Sequence, residues 1–229
     1  MKEDSGRGGS KLIHDEVSVG DRLNIRGPRN HFRLKPAQFL LFVAGGIGIT
    51  PLLPMIDEAE RRGAPWRLLF LGRHRKRMPY LEDLVRSHPS NVYAWPSSER
   101  GRHNHDDIWQ KLPAEDSYVY ECGPDELLAG LEGSANQHQA DSRPVVERLA
   151  ARKVHQPNRR IDLKLGRSGK AVTVGENETV LDALNGEGAN ILSTCREGTC
   201  GTCEVRVLDG SPEQRDSVLS LRNASPTRP

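Results

Sequence analysis

The sequence predicts an α/β domain built on a doubly wound parallel sheet, followed by a smaller α+β module. An apolar run of strand length at 39–44 is followed by a glycine-rich turn, an amphipathic stretch and a second apolar run at 67–72. This strand–helix–strand order is typical of parallel sheets. Beyond 160 the chain changes to short alternating segments around one helical stretch, which predicts a separate α+β module.

The composition excludes several classes of protein. The 229 residues are 35% hydrophobic and 28% charged, which suits one large or two ordinary globular domains. A formal charge of +2 is too near neutral to favour nucleic acid or an anionic membrane surface. No apolar run approaches the roughly 18 residues of a membrane span, and the first residues lack the apolar core of a signal peptide. We therefore expect a cytoplasmic protein with neither membrane nor nucleic acid as partner.

The first 34 residues have the pattern of strand fragments and turns. The stretch SVGDRLNIRG (18–27) alternates apolar and polar positions and ends at a Gly-Pro turn signal. After the two apolar runs, 116–124 predicts a third strand, and DELLAGLEG predicts the helix that follows it. The stretch 145–153 fits a short helix or a connector, and VHQPNRR (154–160) has the composition of a linker.

The second module is predicted to begin with a hairpin. RIDLKL and KAVTV alternate on either side of the turn GRSG, and ETVLDALNGEG (178–188) predicts a helix that ends at glycine. CEVRVLDG (203–210) predicts a further strand and turn.

Three cysteines lie within the nine residues CREGTCGTC (195–203). Their C-x4-C-x2-C spacing is that of plant-type two-iron ferredoxins. Gly198 and Gly201 allow the left-handed turns that such a loop needs, and Arg196 adds positive charge beside an anionic cluster. The alternatives are a structural zinc site, which usually has two paired knuckles, or thiols without a metal. Either metal site requires a fourth ligand.

Two further motifs follow strands. The glycines of GGIGITP (45–51) allow the backbone to approach a pyrophosphate at a helix N-terminus, although a purely structural turn fits the same residues. CGP (122–124) lies at the carboxyl end of a strand, where open α/β sheets bind ligands. The alternative for Cys122 is a small buried residue. In either case this thiol belongs to the first domain and is a poor candidate for the fourth ligand.

With these three motifs in this order, the chain resembles the reductase components of Rieske-type aromatic dioxygenases and O-demethylases, the phthalate dioxygenase reductase and vanillate O-demethylase reductase family. The resemblance extends over about residues 5–220. It implies an FMN-binding β-barrel, a nicotinamide-nucleotide domain and a β-grasp ferredoxin. GRGGS (6–10) and GPRNHF (27–32) match the end of the barrel, and GSPEQRD (210–216) matches the ferredoxin.

The resemblance implies boundaries and site residues. The expected divisions are a barrel remnant at 1–34, a nucleotide domain at 35–153, a linker at 154–160 and an incomplete ferredoxin at 161–229. The implied catalytic residues are Thr50 and Cys122. The implied cofactor contacts are Arg7, Gly8, Gly9 and Ser10 for FMN, and Gly45, Gly46, Ile47, Gly48, Ile49, Thr50, Pro51, Arg73, Cys122, Gly123 and Pro124 for NADH or NADPH. The implied cluster ligands are Cys195, Cys200 and Cys203.

The implied function is electron transfer from NAD(P)H through FMN and a [2Fe-2S] cluster to a separate Rieske-type oxygenase in aromatic degradation. Flavin is needed between the two because a nicotinamide releases an electron pair and a cluster accepts single electrons. Arg73 begins the basic run GRHRKR, which would suit the 2′-phosphate of NADPH or form a solvated loop, and we favour NADH. The alternative function is a nucleotide-binding fragment that does not transfer electrons.

Two departures from the family pattern concern the ends. The family's upstream Arg-x-Tyr-Ser stretch and most barrel strands are not in the sequence, and its terminal cysteine has no counterpart in LSLRNASPTRP (219–229). We therefore expect a chain truncated at both ends. Asp209, Ser217 or a solvent molecule could replace the fourth thiolate, but oxygen donors are harder and weaker ligands for iron.

Overall fold

A computed structural model describes residues 8–25, 30–111, 116–138, 144–151 and 156–218. The chain divides into two compact units, residues 1–30 and residues 31–229. In the first unit the described residues contain one helix, α1 (Gly9–Glu16), which begins after Gly8 in the left-handed conformation.

The strand predicted from SVGDRLNIRG is wrong for the part of it that the structure describes. Residues 17–25 are irregular with a turn at 19–20, and 26–29 lie outside the described ranges. Val19, Leu23 and Ile25 are exposed. An alternating segment becomes a strand only where a neighbouring strand pairs with its backbone, and the described part of this unit supplies none.

The second unit begins with a parallel sheet, as predicted. Its strands have the order β3-β2-β1-β4-β5, and each neighbouring pair is parallel. This is the doubly wound α/β arrangement. The elements are β1 (Phe39–Gly45), α2 (Leu53–Arg61), β2 (Trp66–Gly72), α3 (Leu81–Ser87), β3 (Val92–Pro96), α4 (Ser97–Arg100), α5 (Asp106–Lys111), β4 (Ser117–Cys122), α6 (Asp125–Gln137) and β5 (Val145–Glu147).

The central strand β1 is buried on both faces, which explains its continuous apolar run. Phe42 packs with Phe70 and Tyr120 in the cluster on one face of the sheet. Val43 packs with Leu131 of α6 in the cluster on the other face.

Two outer strands differ from the sequence prediction. The short helix or connector expected at 145–153 is wrong for its first three residues, because Val145–Glu147 forms β5 and pairs with β4, whereas 148–151 are irregular. Two consecutive β-branched valines suit an edge position in a sheet better than a helix. Strand β3 was not predicted; its five residues, VYAWP, combine aromatic and β-branched side chains with a terminal proline that ends the strand.

The second module contains the predicted hairpin and helix. β6 (Ile161–Lys164) pairs antiparallel with β7 (Ala171–Val174), and α7 (Val180–Gly186) follows. Thr179 caps the helix by accepting a hydrogen bond from the N–H of Asp182 at 3.1 Å. Val172, Val174, Ala183 and Leu184 form a small core between hairpin and helix.

The strand predicted at 203–210 is wrong. Residues 204–208 are irregular, and Val205, Val207 and Leu208 are exposed. Among the described residues the module's sheet has only β6 and β7, so the alternation of CEVRVLDG finds no hydrogen-bonding neighbour. Among the described residues, no helix combines the length and apolar character needed to cross a bilayer.

Glu121 is an unusual component of the core. It is fully buried in β4, and neither of its carboxylate oxygens has a hydrogen-bond partner among the described residues. Burial, followed by the charge of Glu132, raises the pKa of Glu121 to about 9, although Arg148 opposes the shift. The carboxyl group is therefore neutral in the folded protein at neutral pH.

This carboxyl group predicts a pH-dependent stability. The folded protein keeps the Glu121 proton, whereas the unfolded chain loses it above the ordinary value of 4.5. The contribution of Glu121 to the free energy of unfolding should therefore be most favourable below pH 4.5. Between pH 4.5 and about pH 9 this contribution should fall by at most about 1.4 kcal/mol per pH unit.

Glu121→Leu should remove this dependence and raise the free energy of unfolding at pH 7 by about 1–3 kcal/mol. Denaturant titrations at pH 5, 7 and 9 would measure it, with the exposed Glu176→Leu as control. An equal pH dependence in the Glu121 variant and the native chain would contradict the assignment.

Candidate functional site: a nucleotide edge and a thiol loop

The first candidate site is the nucleotide edge, defined as residues 45–51 and 122–124. These two segments are brought together because β1 and β4 are neighbours, with Ala44 opposite Cys122 in the parallel register. Residues Gly46–Ile49 form a 3₁₀ turn after β1, and α2 begins only at Leu53. The carboxyl end of the sheet therefore presents a glycine-rich turn beside the Cys-Gly-Pro turn.

Glycine is required at this edge because the two segments touch backbone to backbone. A methyl group at Gly48 would lie 2.1 Å from the carbonyl oxygen of Cys122. A methyl group at Gly45 would lie 2.7 Å from Cδ of Pro124. Gly46 is different: it has φ +56° and nothing within 4 Å of its missing side chain, so it faces open space.

The remaining residues of the edge have distinct environments. Ile49 is buried, whereas the side chain of Ile47 is 60% exposed beside the open face of Gly46. The Thr50 hydroxyl donates a hydrogen bond to the carbonyl oxygen of Ile47 at 3.0 Å, which fixes its orientation.

Cys122 lies at the same edge but is fully buried. Burial, and then the charges of Glu147 and Glu121, raise the pKa of this thiol to about 12. It is therefore a neutral thiol at physiological pH and neither a nucleophile nor a base there. Glu147, opposite Cys122 in β5, was missed by the sequence analysis, and burial raises its pKa as well. The Val-Val-Glu pattern, which is typical of an edge strand, was the sequence signal that could have identified Glu147.

Arg73 follows β2 at the same end of the sheet, with an exposed side chain. Beyond it the basic run borders a groove of about 1040 Å³ that includes Tyr80, an exposed residue with φ +62°. Arg75 in this run forms an ion pair with Glu99 at 3.3 Å, and both side chains are about half exposed.

The second candidate site is the thiol loop, residues 195–203. Arg196, Gly198 and Gly201 all have positive φ, so the loop turns in the left-handed manner predicted for its glycines. The guanidinium of Arg196 pairs with Asp182 of α7 and fastens the loop to the helix. The positive charge expected beside the cluster is therefore compensated by a carboxylate.

The groups around the sulfur atoms favour thiolates, the ionised form in which cysteine binds a metal. The N–H groups of Glu197 and Thr199 each donate to Sγ of Cys195 at 3.4 Å. Burial opposes ionisation, but hydrogen bonds from Thr199, Glu197 and Cys200 lower the pKa of Cys195 to about 6. Burial and the charges of Cys195 and Cys200 instead raise the pKa of Cys203.

The loop therefore fits an iron–sulfur cluster at three positions, since it supplies soft thiol donors and N–H groups directed at sulfur. Among the described residues, no three His, Cys, Asp or Glu side chains already converge as a metal site.

The proposed oxygen donors differ in position. Ser217 lies against the thiol loop, because its N–H donates to the carbonyl oxygen of Gly198 at 2.8 Å. Its hydroxyl oxygen is buried and has no hydrogen-bond partner among the described residues. Asp209 accepts a hydrogen bond from the N–H of Gly210 at 2.9 Å and borders a different groove, beside β6.

The flavin contacts are only partly described. Arg7 and the side chain of Ser10 lie outside the described residues. Gly8 and Gly9 form the start of α1, where the first-turn N–H groups have no partner within the helix.

Comparisons with known proteins place these sites in a family. The 2Fe-2S iron-sulfur cluster binding domain matches residues 163–226, which include the thiol loop. The carnitine monooxygenase reductase subunit of Acinetobacter baumannii is 32% identical over 96% of this chain and 69% of its own length. The chain belongs to the family of oxygenase reductase subunits.

Two solved structures are similar along the same length. An intact type IV self-sufficient cytochrome P450 monooxygenase matches with TM-score 0.83 and 39% identity over 96% of this chain, which covers 29% of that protein. Phthalate dioxygenase reductase, described as a modular structure for electron transfer from pyridine nucleotides to [2Fe-2S], matches with TM-score 0.66 and 29% identity, covering 96% of this chain and 70% of that protein.

The predicted family, the fold class and the enzyme class are thereby confirmed. This oxygenase reductase subunit is an oxidoreductase with a 2Fe-2S domain, and the similar phthalate dioxygenase reductase transfers electrons from pyridine nucleotides to such a cluster. The individual residue assignments remain predictions.

The backbone contact at Gly48 predicts the effect of one methyl group. Gly48→Ala should push the glycine turn away from Cys122, destabilise the fold by about 1–3 kcal/mol and abolish binding of NADH. Calorimetric titration and thermal unfolding would measure both effects. Gly133→Ala on α6, where the added methyl meets nothing within 4 Å, is the control and should leave binding unchanged. Native NADH affinity in Gly48→Ala would show that the turn is not the binding element.

The position of Ser217 predicts the effect of an added thiol. Ser217→Cys should increase the iron and sulfide retained per chain after reconstitution and desalting, because thiolate binds iron in such clusters better than a hydroxyl. The exposed Ser211→Cys adds the same thiol elsewhere and should retain only the native amount. Equal retention in both variants would contradict a ligand position at Ser217.

Proposed function

We propose that this chain passes electrons from NADH through FMN and a [2Fe-2S] cluster to an oxygenase. The observation that carries the proposal is the joining of residues 45–51 and 122–124 at one sheet edge, in the same compact unit as the thiol loop. When bound, flavin takes the electron pair of the nucleotide and the cluster takes electrons one at a time.

The nucleotide edge binds the dinucleotide by its backbone. The open face of Gly46 admits a pyrophosphate, and the N–H groups of the turn that follows it donate hydrogen bonds to the phosphate oxygens. Ile47 supplies an exposed apolar contact, and the family resemblance assigns Thr50 to the junction of nicotinamide and flavin. Cys122 acts here as a small neutral side chain that allows close approach, with Gly123 and Pro124 continuing the same surface.

Arg73 binds the adenosine portion from the end of β2. The ion pair between Arg75 and Glu99 reduces the positive charge of the basic run, which supports NADH rather than the more anionic NADPH. The groove beside Tyr80 gives the adenine a concave, partly aromatic surface.

Cys195, Cys200 and Cys203 hold the cluster. The N–H groups directed at Cys195 and its lowered pKa favour the thiolate that iron requires. The family resemblance assigns Arg7, Gly8, Gly9 and Ser10 to the FMN phosphate, and Gly8 and Gly9 lie at the N-terminus of α1, where backbone N–H groups can bind an anion. Residues 1–34 belong to the flavin barrel, 35–153 form the nucleotide domain, 154–160 the linker and 161–229 the ferredoxin.

The electron acceptor is a separate Rieske-type oxygenase that acts on an aromatic compound. The similarity to phthalate dioxygenase reductase supports this acceptor, and the reductase works with its partner in the cytoplasm, where thiols stay reduced. The 39% identity to a self-sufficient cytochrome P450 supports a second candidate, a haem oxygenase.

Anaerobic reduction by nicotinamide tests the proposal. The chain is loaded with FMN, iron and sulfide, and NADH should bleach the flavin and produce the electron paramagnetic resonance signal of a reduced two-iron cluster. A chain reduced by dithionite but by neither NADH nor NADPH would be a nucleotide-binding fragment, and electron transfer would be rejected. Rates with a Rieske oxygenase and a haem oxygenase distinguish the two acceptors.

The proposed contact of Arg73 with the adenosine portion predicts that removing its side chain weakens nucleotide binding. Arg73→Ala should weaken NADH binding about tenfold or more, because a charge-assisted hydrogen bond contributes about 1.5–3 kcal/mol. Fluorescence titration of NADH would measure the dissociation constant. The control is Arg206→Ala, which removes an exposed arginine of the second module. If both variants bind NADH equally well, Arg73 is only part of a solvated loop.

A further inference from the structure

His31 lies against the thiol loop although it belongs to the other end of the sequence. A methyl group at Gly201 would come within 2.8 Å of Nε2 and 3.0 Å of Cε1 of His31. Gly201 has φ +67° and lies between two of the three cluster cysteines. The imidazole therefore packs directly on the turn that separates Cys200 from Cys203.

The neighbouring residue is fixed in the core of the nucleotide sheet. The ring of Phe32 is only 7% exposed and packs edge-on against Tyr120, with 5.5 Å between ring centroids. Tyr120 is fully buried in β4, two residues before Cys122. Adjacent residues thus contact the thiol loop and the strand that ends at the nucleotide edge.

Backbone hydrogen bonds hold the same segment in place. The Tyr120 hydroxyl donates to the carbonyl oxygen of Arg33 at 3.1 Å and accepts from the N–H of Lys35 at 2.8 Å. Because this buried hydroxyl both donates and accepts a hydrogen bond, it holds the backbone at Arg33 and Lys35 in a defined position. The position of His31 is therefore set by β4, the strand that ends at the nucleotide edge.

We propose that His31 is a positioning residue that seats the thiol loop against the nucleotide-binding sheet and so fixes the separation between the two sites. Phe32 and Tyr120 anchor it, and Gly201 is glycine partly because the imidazole occupies the space of a side chain. The proposal rests on the proposed electron-transfer function, since the separation matters only if electrons cross it.

The first test uses the chain without cofactors. His31→Ala should release the loop and raise the rates at which iodoacetamide alkylates Cys200 and Cys203 by about threefold or more. Site-resolved mass spectrometry measures these rates. The exposed His14→Ala on α1 is the matched control and should keep the native rates. Native rates in His31→Ala would overturn the proposal, because the loop would then be seated without the imidazole.

A second variant removes the hydrogen bonds that hold the segment next to His31 against β4. Tyr120→Phe keeps the ring but removes the hydroxyl that holds Arg33 and Lys35. It should raise the same alkylation rates in the same direction, with the thermal unfolding temperature recorded to show that the sheet is folded. A folded Tyr120→Phe protein with unchanged rates would contradict the anchoring of His31 by β4.

The third test uses the chain loaded with FMN and cluster. His31→Ala should retain the native dithionite-reduced resonance signal, while reduction of the cluster by NADH slows by about tenfold or more. His31→Gln, which keeps a polar group of similar reach, should recover much of the native rate.

Equal NADH-driven rates in native and His31→Ala chains would overturn the positioning role. A native chain that dithionite reduces but NADH does not would instead reject the proposed function, and the alkylation tests would still decide the role of His31.

Discussion

The molecule depends on a contact between two stretches of backbone that have no side chain between them. Gly45 and Gly48 meet Cys122 and Gly123 at the carboxyl end of neighbouring strands, closer than any side chain would permit. This contact sets the shape of the nucleotide edge, because it forces the turn after β1 to leave Gly46 facing open space. The side chain of Cys122 is buried at the same place, and this burial keeps it a neutral thiol.

The motifs that carry chemistry were predictable from the sequence because their residue types are dictated locally. A glycine turn after the apolar run of β1, a Cys-Gly-Pro turn after β4 and three cysteines in the thiol loop each have a short-range physical cause. The central strands were predictable for a similar reason, since burial on both faces leaves a continuous apolar signal.

The errors lie where structure depends on distant neighbours. Residues 145–147 become a strand only because β4 offers an open edge, and residues 203–210 fail to become one because the described residues offer no partner. The buried Glu121 could not be foreseen either, since a glutamate in a sequence looks like a surface residue. His31 packs on a turn 170 positions away, and no local pattern indicates such a contact.

We propose that one compact unit binds a dinucleotide and an iron–sulfur cluster together. A crystal structure of the chain reconstituted with iron and sulfide and soaked with NAD would decide this. Pyrophosphate oxygens should lie on the N–H groups of the turn after β1, and iron should be bonded to the sulfur atoms of Cys195, Cys200 and Cys203. Nucleotide bound away from both strand ends, or a thiol loop that holds zinc or no metal, would contradict it.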